Sequence, residues 1–146
     1  YNDYWLRESG LSEKTRYNDL RDLISHPYDG NSHQQVSPSD TLKSVYSKFK
    51  FYQVTCLPVI RQGKLIGIID ESYLLSDFYL YGKLDRQVQD LKLENPITIP
   101  HDSEEVNLFP ILTNNTVVGI EDQDGNFEGV VTKTDIMNHL YQKINN

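Results

Sequence analysis

A hydroxyl and a carboxylate stand three residues apart at Thr132 and Asp135, directly after the apolar run Gly129-Val130-Val131. This spacing is typical of a capping box, in which the two side chains satisfy the first backbone donors of a helix. A carboxylate at a helix start can also accept two hydrogen bonds from a vicinal diol, and the helix N-terminus adds backbone donors and a positive dipole. The two roles are compatible, so the spacing leaves both open.

Other residue types that could do chemistry form no recognisable constellation. The histidines show no zinc-ligand spacing, and they are His26, His33, His101 and His139. Asp122-x-Asp124-Gly125 hints at a calcium loop, but the glutamate expected six residues after the glycine is missing, so a hairpin turn is favoured. No nucleophile–base pair is evident. The sequence therefore predicts no catalytic residue and no metal site.

Composition narrows the class of partner. The chain has 146 residues and a net charge of −7, which argues against nucleic acid or an anionic membrane as the main partner. No apolar run approaches the roughly 20 residues of a membrane helix, and no signal peptide pattern opens the sequence. The single cysteine, Cys56, precludes an intrachain disulfide and favours a reducing, cytoplasmic location. Because residue 1 is Tyr, we expect a piece of a longer protein.

A gapless internal repeat organises the chain. Shifting the sequence by 62 residues (100 − 38) brings four pairs of punctuating residues into coincidence: Pro38 with Pro100, Asp40 with Asp102, Gly63 with Gly125, and Gly67 with Gly129. A repeat of this length is a subdomain rather than a solenoid unit. We expect a pseudo-symmetric pair, with related clefts where the two copies meet.

Periodicity and turn signals predict similar elements in both copies. A helix over 17–24 precedes the first copy. Its own elements are a helix from Asp40, as N-cap, to about Phe51, strands over 57–60 and 64–69, and a helix over 70–81. Leu74, Leu75 and Phe78 of that last helix should face the core.

The second copy follows a connector with a short helix near residues 88–91. We predict an extended segment over 97–99 and a helix over 103–112, shortened or kinked by Pro110. A hairpin around Asp124-Gly125 and a final helix from Thr132 to about Lys143 complete it. The predicted class is α/β, in the mixed α+β sense: two pseudo-symmetric repeats, each a small mixed sheet packed with two helices.

At this point the chain resembles a pair of CBS domains, a Bateman module. The resemblance rests on Leu57-Pro58-Val59-Ile60, on Gly67-Ile68-Ile69-Asp70, and above all on the segment from Gly129 to Asp135. It divides the chain into an N-terminal helix and linker over 1–16, repeat one over 17–82 and repeat two over 83–146.

The first residues narrow the resemblance. Asn2-Asp3-Tyr4-Trp5-Leu6, followed by Gly10, is similar to the segment that joins the catalytic and regulatory domains of cystathionine β-synthase. The similarity implies the regulatory part of a pyridoxal-phosphate-dependent lyase of cysteine biosynthesis. The cofactor and the catalytic lysine would lie upstream, and this part would not itself be an enzyme.

In CBS domains the Thr-x-x-Asp at the last strand-to-helix junction binds ribose, and Thr132 and Asp135 hold those positions. The resemblance implies further contacts from repeat two and, for the adenine, from the opposite copy: Val130, Thr134, His33, Gln34, Val36, Val54, Thr55, Cys56 and Leu57. The equivalent cleft of repeat one has Asp70 and Tyr73 at the paired positions, with Thr98 and Val117 on its other wall. Because tyrosine cannot chelate a ribose, we expect that cleft to be empty, occluded by Tyr73, or used by something else.

Few cationic residues accompany the motif, and nucleotide phosphates usually need them. S-adenosylmethionine carries a cationic sulfonium and no phosphate, so it suits an acidic module better. The resemblance to cystathionine β-synthase points to the same ligand, and it implies an allosteric S-adenosylmethionine sensor that acts on its own upstream catalytic domain. The helices ending each repeat are candidates for homodimer packing. An AMP- or ATP-binding pair and a ligand-free assembly module remain open.

Overall fold

Two β-hairpins, one in each repeat, form the framework of the fold. The computed structural model describes residues 16–25, 28 and 34–145, so the expected helix near Trp5 and the side chain of His33 lie outside it. In repeat one, β1 (Cys56–Arg61) pairs antiparallel with β2 (Lys64–Asp70). In repeat two, β4 (Val117–Glu121) pairs antiparallel with β5 (Phe127–Thr132), and β3 (Thr98–Pro100) runs parallel to β4.

Two helices accompany each hairpin. Repeat one contributes α1 (Leu42–Tyr52) and α2 (Glu71–Leu80). Repeat two contributes α3 (Leu108–Asn114) and α4 (Lys133–Ile144). Short 3₁₀ helices cover Leu20–Leu23, Val88–Asp90 and Glu105–Asn107. The predicted mixed α+β class, with a small sheet and two helices in each repeat, is confirmed. The sheet of repeat one is an antiparallel pair, to which Val36 adds only an isolated parallel bridge with Val59. No helix in the described ranges is both long and apolar enough to cross a membrane.

Each repeat has its own apolar core. The first collects buried residues from α1, the hairpin and α2, among them Leu42, Leu57 and Ile69. The second joins Leu20 and Ile24 of the N-terminal segment to α3 and to the strands of repeat two. The two repeats pack closely at Gly119 of β4, where the Leu65 side chain of β2 lies against the backbone. A Cβ added at Gly119 would lie only 2.6 Å from Leu65 Cδ2. The hairpin tips also meet, since Phe127 donates its backbone N–H to the Gly63 carbonyl (2.8 Å).

The N-terminal helix predicted over 17–24 is wrong. The structure has only the 3₁₀ turn Leu20–Leu23, because Asn18 takes a left-handed conformation (φ +62°) and Asp19 caps the turn from an extended one. The Asp22 carboxylate accepts the backbone N–H groups of residues 17 and 18, which fixes this bend before the turn begins.

Two other predictions need correction in detail. The N-cap of α1 is Thr41, whose hydroxyl accepts the Ser44 N–H, while Asp40 accepts the Ser37 N–H instead. Leu75 faces solvent (70% exposed), and buried Asp77 takes an inward position paired with Arg86. Pro110 shortens its helix as expected, because α3 begins only two residues before it, where a missing N–H costs nothing.

Candidate functional site

A cavity of about 380 Å³, here called cleft A, lies where the C-terminal end of β5 meets the chain entering β1. Its volume falls in the range of small-molecule sites. Cleft A is lined by Ser25, Tyr28, Gln34, Gln35, Gln53, Val54, Thr55, Cys56, Pro58, Phe127, Val130, Thr132, Thr134, Asp135 and Asn138.

Thr132 and Asp135 form a reciprocal capping box at the start of α4. The Thr132 hydroxyl accepts the Asp135 N–H (3.2 Å), and Asp135 Oδ2 accepts the Thr132 N–H (2.9 Å). The box fixes the carboxylate at the positive end of the helix, on the wall of cleft A. The capping role is therefore present, and it leaves the second oxygen, Oδ1, available for another partner.

That second oxygen accepts a hydrogen bond from the hydroxyl of Ser25. Backbone hydrogen bonds join the chain to repeat two both before and after Ser25. Leu20 donates to the His101 carbonyl (3.0 Å), and Tyr28 donates to the Glu128 carbonyl (2.9 Å). Ile24 packs over Gly129, whose added Cβ would lie 2.6 Å from Ile24 Cγ2. The N-terminal segment thus forms part of the site.

The structure brings most of the predicted cleft residues together. Six of them lie on the wall of cleft A with the capping pair: Gln34, Val54, Thr55, Cys56, Val130 and Thr134. Val36 and Leu57 are not among the lining residues, because both side chains are buried in the core of repeat one (1% and 0% exposed). Leu57 alternates with Cys56 along β1, so its side chain leaves the opposite face of the strand.

Sequence reasoning missed several wall residues. Tyr28 and Phe127 pack ring to ring (centroids 5.4 Å apart, 52° between planes) beside the capping pair. Gln35 also lies on the wall, and its side-chain carbonyl oxygen is buried with no hydrogen-bond partner. The aromatic at the first position of β5 was a local signal for an apolar wall. Ser25 had none, because it lies 110 residues from its partner Asp135.

The charge of cleft A is one-sided. Asp135 is the only acidic residue among its described wall residues, and no lysine or arginine of the described chain lines it. The Cys56 thiol lies on the same wall, and burial, with a smaller contribution from the Asp70 carboxylate, raises its pKa to about 11. The thiol is therefore neutral near pH 7.

The related cleft of repeat one, here called cleft B, is larger, at about 580 Å³. Asp70, Tyr73 and Val117 line it as predicted, but Thr98 does not. The Asp70 carboxylate caps α2 by accepting the Tyr73 N–H (2.8 Å). Tyr73 lies on the wall of the cavity, and its hydroxyl donates to the carbonyl of Lys92 (3.4 Å) on the same wall.

Other polar side chains pair with one another or with the backbone. The Asp122 carboxylate accepts the backbone N–H groups of Asp124 and Asn126 (2.9 Å each) and so closes the predicted hairpin turn. The hydrogen bond from Asn126 is the main reason that the pKa of Asp122 is lowered. His101 pairs with Glu128 at 2.6 Å, and His139 pairs with Glu105 at 3.1 Å. Among the described residues, no three metal-ligating side chains gather into a potential metal site.

The chain is similar in sequence to a known protein family and to a curated relative. A family model described as the CBS domain matches the chain twice, over residues 20–79 and 88–142. A curated relative, the uncharacterized protein MJ1232 of Methanocaldococcus jannaschii, is 25% identical over 104 residues. These are 70% of this chain and 34% of the relative, so the chain spans about a third of that protein.

Solved structures share the fold along most of their length. CBSX2, in a crystal structure with AMP, is 25% identical, has a TM-score of 0.71, and is matched over 85% of this chain and 96% of its own. A CBS domain-containing protein of unknown function from Bacillus anthracis str. Ames Ancestor has a TM-score of 0.72 at 16% identity, over 86% and 94% of the two chains. The CBS domain of a bacterial CNNM/CorC family Mg²⁺ transporter has a TM-score of 0.68 at 20% identity, over 82% and 72%.

Proposed function

Because the chain belongs to the CBS domain family and carries two copies of that domain, we propose that it is a regulatory module that binds one adenosyl ligand in cleft A. The observation that carries the proposal is the Asp135 carboxylate, fixed at the N-terminus of α4 on the wall of a ligand-sized cavity. The complex of CBSX2 with AMP supports the ligand class. The adenosyl group would lay its ribose against Thr132 and Asp135.

Within that class, S-adenosylmethionine is the proposed ligand. A nucleotide phosphate needs a cationic partner, and the described wall of cleft A offers none. A sulfonium cation is instead attracted by the lone carboxylate, and apolar walls from Val54, Val130 and Phe127 suit the base. AMP is the second candidate, favoured by the CBSX2 complex. The two ligands differ in charge, so affinity decides between them.

Titration calorimetry with S-adenosylmethionine, AMP, ATP and adenosine tests the proposal. We expect S-adenosylmethionine to bind more tightly than AMP. Asp135→Asn should weaken binding by at least about tenfold, because it removes the charge from the hydrogen bonds to the diol. Asp102→Asn removes the same charge at an exposed position outside cleft A and should bind normally. Tighter AMP binding would make this an AMP module, and no heat with any ligand in folded protein would overturn the sensor.

The proposed target of regulation is a pyridoxal-phosphate-dependent lyase resembling cystathionine β-synthase, in the same polypeptide. Its support is the sequence similarity around Trp5, in residues outside the described structure. Ligand binding across both repeats would favour one relative orientation of the two and so alter contact with the catalytic domain. Purification of the natural full-length protein tests this directly: it should carry bound pyridoxal phosphate, visible in its absorbance spectrum. A full-length product without it would overturn this assignment and leave the ligand proposal intact.

We further propose a homodimer through the exposed faces of α2 and α4. Large apolar side chains on these helices face solvent, among them Leu75 (70%), Tyr79 (88%), Met137 (61%) and Ile144 (84%). Large exposed apolar patches often mark protein–protein interaction sites. Light scattering should give twice the chain mass, and Tyr79→Glu should shift it toward the monomer. Gln123→Glu adds the same charge at the exposed hairpin turn and should remain dimeric; a monomeric wild type would contradict the proposal.

A further inference from the structure

Both oxygens of the Asp135 carboxylate already have a partner within the chain. Oδ2 accepts the Thr132 backbone N–H at 2.9 Å and is committed to the start of α4. Oδ1 accepts the Ser25 hydroxyl. A ligand diol that approaches through cleft A therefore meets an acid whose free-standing oxygen is occupied by a hydroxyl of the protein itself.

We propose that Ser25 is a built-in competitor for Asp135, which a ligand hydroxyl displaces on binding. The inference rests on the proposed function, because it takes the diol-binding role of Asp135 as given. The exchange replaces one hydroxyl–carboxylate hydrogen bond by another of the same kind. Binding at cleft A would in this way be reported directly to the N-terminal segment, which contributes Ser25 and is otherwise remote in sequence from α4.

The surroundings of Ser25 allow it to move. Ser25 is exposed, whereas Leu20, Leu23 and Ile24 before it are buried, so the hydroxyl can leave without lifting the segment from the core. Ser25 and Asp135 line cleft A on one side and a smaller hollow of about 200 Å³ on the other. Asn138 and Gln142 also line that hollow, so a displaced hydroxyl finds polar partners there.

The same contacts explain why release would travel along the chain. Ser25 stands between two anchors: Ile24, packed on Gly129, and Tyr28, bonded to the Glu128 carbonyl. Tyr28 in turn packs against Phe127 on the wall of cleft A. A ligand that separates Ser25 from Asp135 therefore removes the side-chain tie between these anchors while the backbone contacts remain. The segment from Leu20 to Ser25 then stays on repeat two with one contact fewer, so its backbone should open more often.

The test compares wild type, Ser25→Ala and Ser25→Thr in binding adenosine and 2′,3′-dideoxyadenosine, which lacks the diol. Loss of the competing hydroxyl should tighten adenosine binding about three- to tenfold in Ser25→Ala. Ser25→Thr keeps the hydroxyl and should bind like wild type. The gain should vanish with the dideoxy compound, because that ligand does not use Asp135. Unchanged or weaker adenosine binding by Ser25→Ala would overturn the competitor role.

Hydrogen–deuterium exchange of the segment Leu20–Ser25 separates this inference from the proposed function. Without ligand, Ser25→Ala should exchange several-fold faster there than wild type, and adenosine should speed exchange in wild type but not in the variant. If wild type binds no adenosyl ligand at all, the proposed function fails, while the ligand-free comparison still judges the tether. Equal exchange of the two ligand-free proteins would refute the tether and with it the inference.

Discussion

Gly129→Ala should destabilise the protein far more than a glycine-to-alanine substitution on the surface, because the Ile24 side chain packs directly on the backbone of Gly129. An added Cβ would lie 2.6 Å from Ile24 Cγ2 and 3.1 Å from its Cδ1. Both distances are shorter than a normal van der Waals contact, and Ile24 is itself buried at 3% exposure. The backbone φ of +151° adds strain, since an L side chain rarely adopts it.

The magnitude follows from two separate costs. Overpacking against a buried isoleucine costs about 1–3 kcal/mol, and a non-glycine residue in a glycine-only conformation costs about 1–3 kcal/mol. Together we expect a loss of about 2–6 kcal/mol of unfolding free energy, which lowers the melting temperature by roughly 5–20 °C in a domain of this size. Gly82→Ala is the matched control, because its φ of +62° is also left-handed but its Cβ meets only Phe78 O at 3.6 Å. That change should cost only about 1–2 kcal/mol.

Urea unfolding of a double-mutant cycle with Ile24→Ala isolates the steric part. Ile24→Ala alone removes buried methyl and methylene groups and costs about 2–5 kcal/mol. Because it also removes the atoms that the new Cβ would strike, the double variant should be more stable than the sum of the two losses predicts, by about 1–3 kcal/mol. Simple additivity, or a Gly129→Ala protein as stable as Gly82→Ala, would show that the segment does not rest on β5 as described.

Three further predictions concern single groups. Burial raises the pKa of the Cys56 thiol to about 11. At pH 8 the native chain should therefore react with iodoacetamide at least about a hundredfold more slowly than the unfolded chain, and its rate should rise with pH. Equal rates in the two states would contradict the burial of the thiol. Thr41→Ala should lower the unfolding free energy by about 1 kcal/mol through loss of the α1 cap, and Thr41→Ser should retain most of it; a silent Thr41→Ala would return the cap to Asp40. The Arg21 guanidinium lowers the pKa of Asp19 below its ordinary 3.8. The ion pair therefore stabilises the fold fully above pH 3.8, and this stabilisation disappears as pH falls through the lowered pKa. Asp19→Asn should make unfolding less dependent on pH in that range, and an unchanged pH profile would show that the ion pair does not stabilise the fold.

The hairpins and helix starts could be predicted because their signals are local. Gly63 and Asp124-Gly125 specify tight turns, and Asp70 and Thr132 cap the helices that follow the hairpins. The start of α1 could not be predicted in this way, because Asp40 and Thr41 are both suitable N-cap residues. The choice depends on the connector: Leu42 donates to the Arg86 carbonyl, and the Asp40 carbonyl accepts from Val88 (2.9 Å each). Sequence periodicity carries no information about contacts of that range.

Some residues on the wall of cleft A could be predicted from the sequence, and others could not. The CBS resemblance implied Val54, Thr55 and Cys56, and the structure puts all three on the wall. Leu57, one residue further, lies in the core, because strand pairing with Ile69 fixes which face it presents. Ser25 was beyond prediction for another reason: its role depends on how the segment before repeat one's hairpin folds across repeat two, which no local pattern encodes.

The duplication provides a control for the role of Asp135. In repeat one, Asp70 accepts the Tyr73 N–H, and α2 is capped by that single side chain. In repeat two, the Thr132 hydroxyl does the equivalent work by accepting the Asp135 N–H. Helix capping therefore does not require an acid at position 135, since Tyr73 occupies the equivalent place in an intact helix. The Asp135 carboxylate adds a second bond to the box and an outward oxygen, Oδ1, which capping does not use. An acid beyond the needs of the helix, on the wall of a cavity and held by a displaceable hydroxyl, is the feature on which ligand sensing would depend.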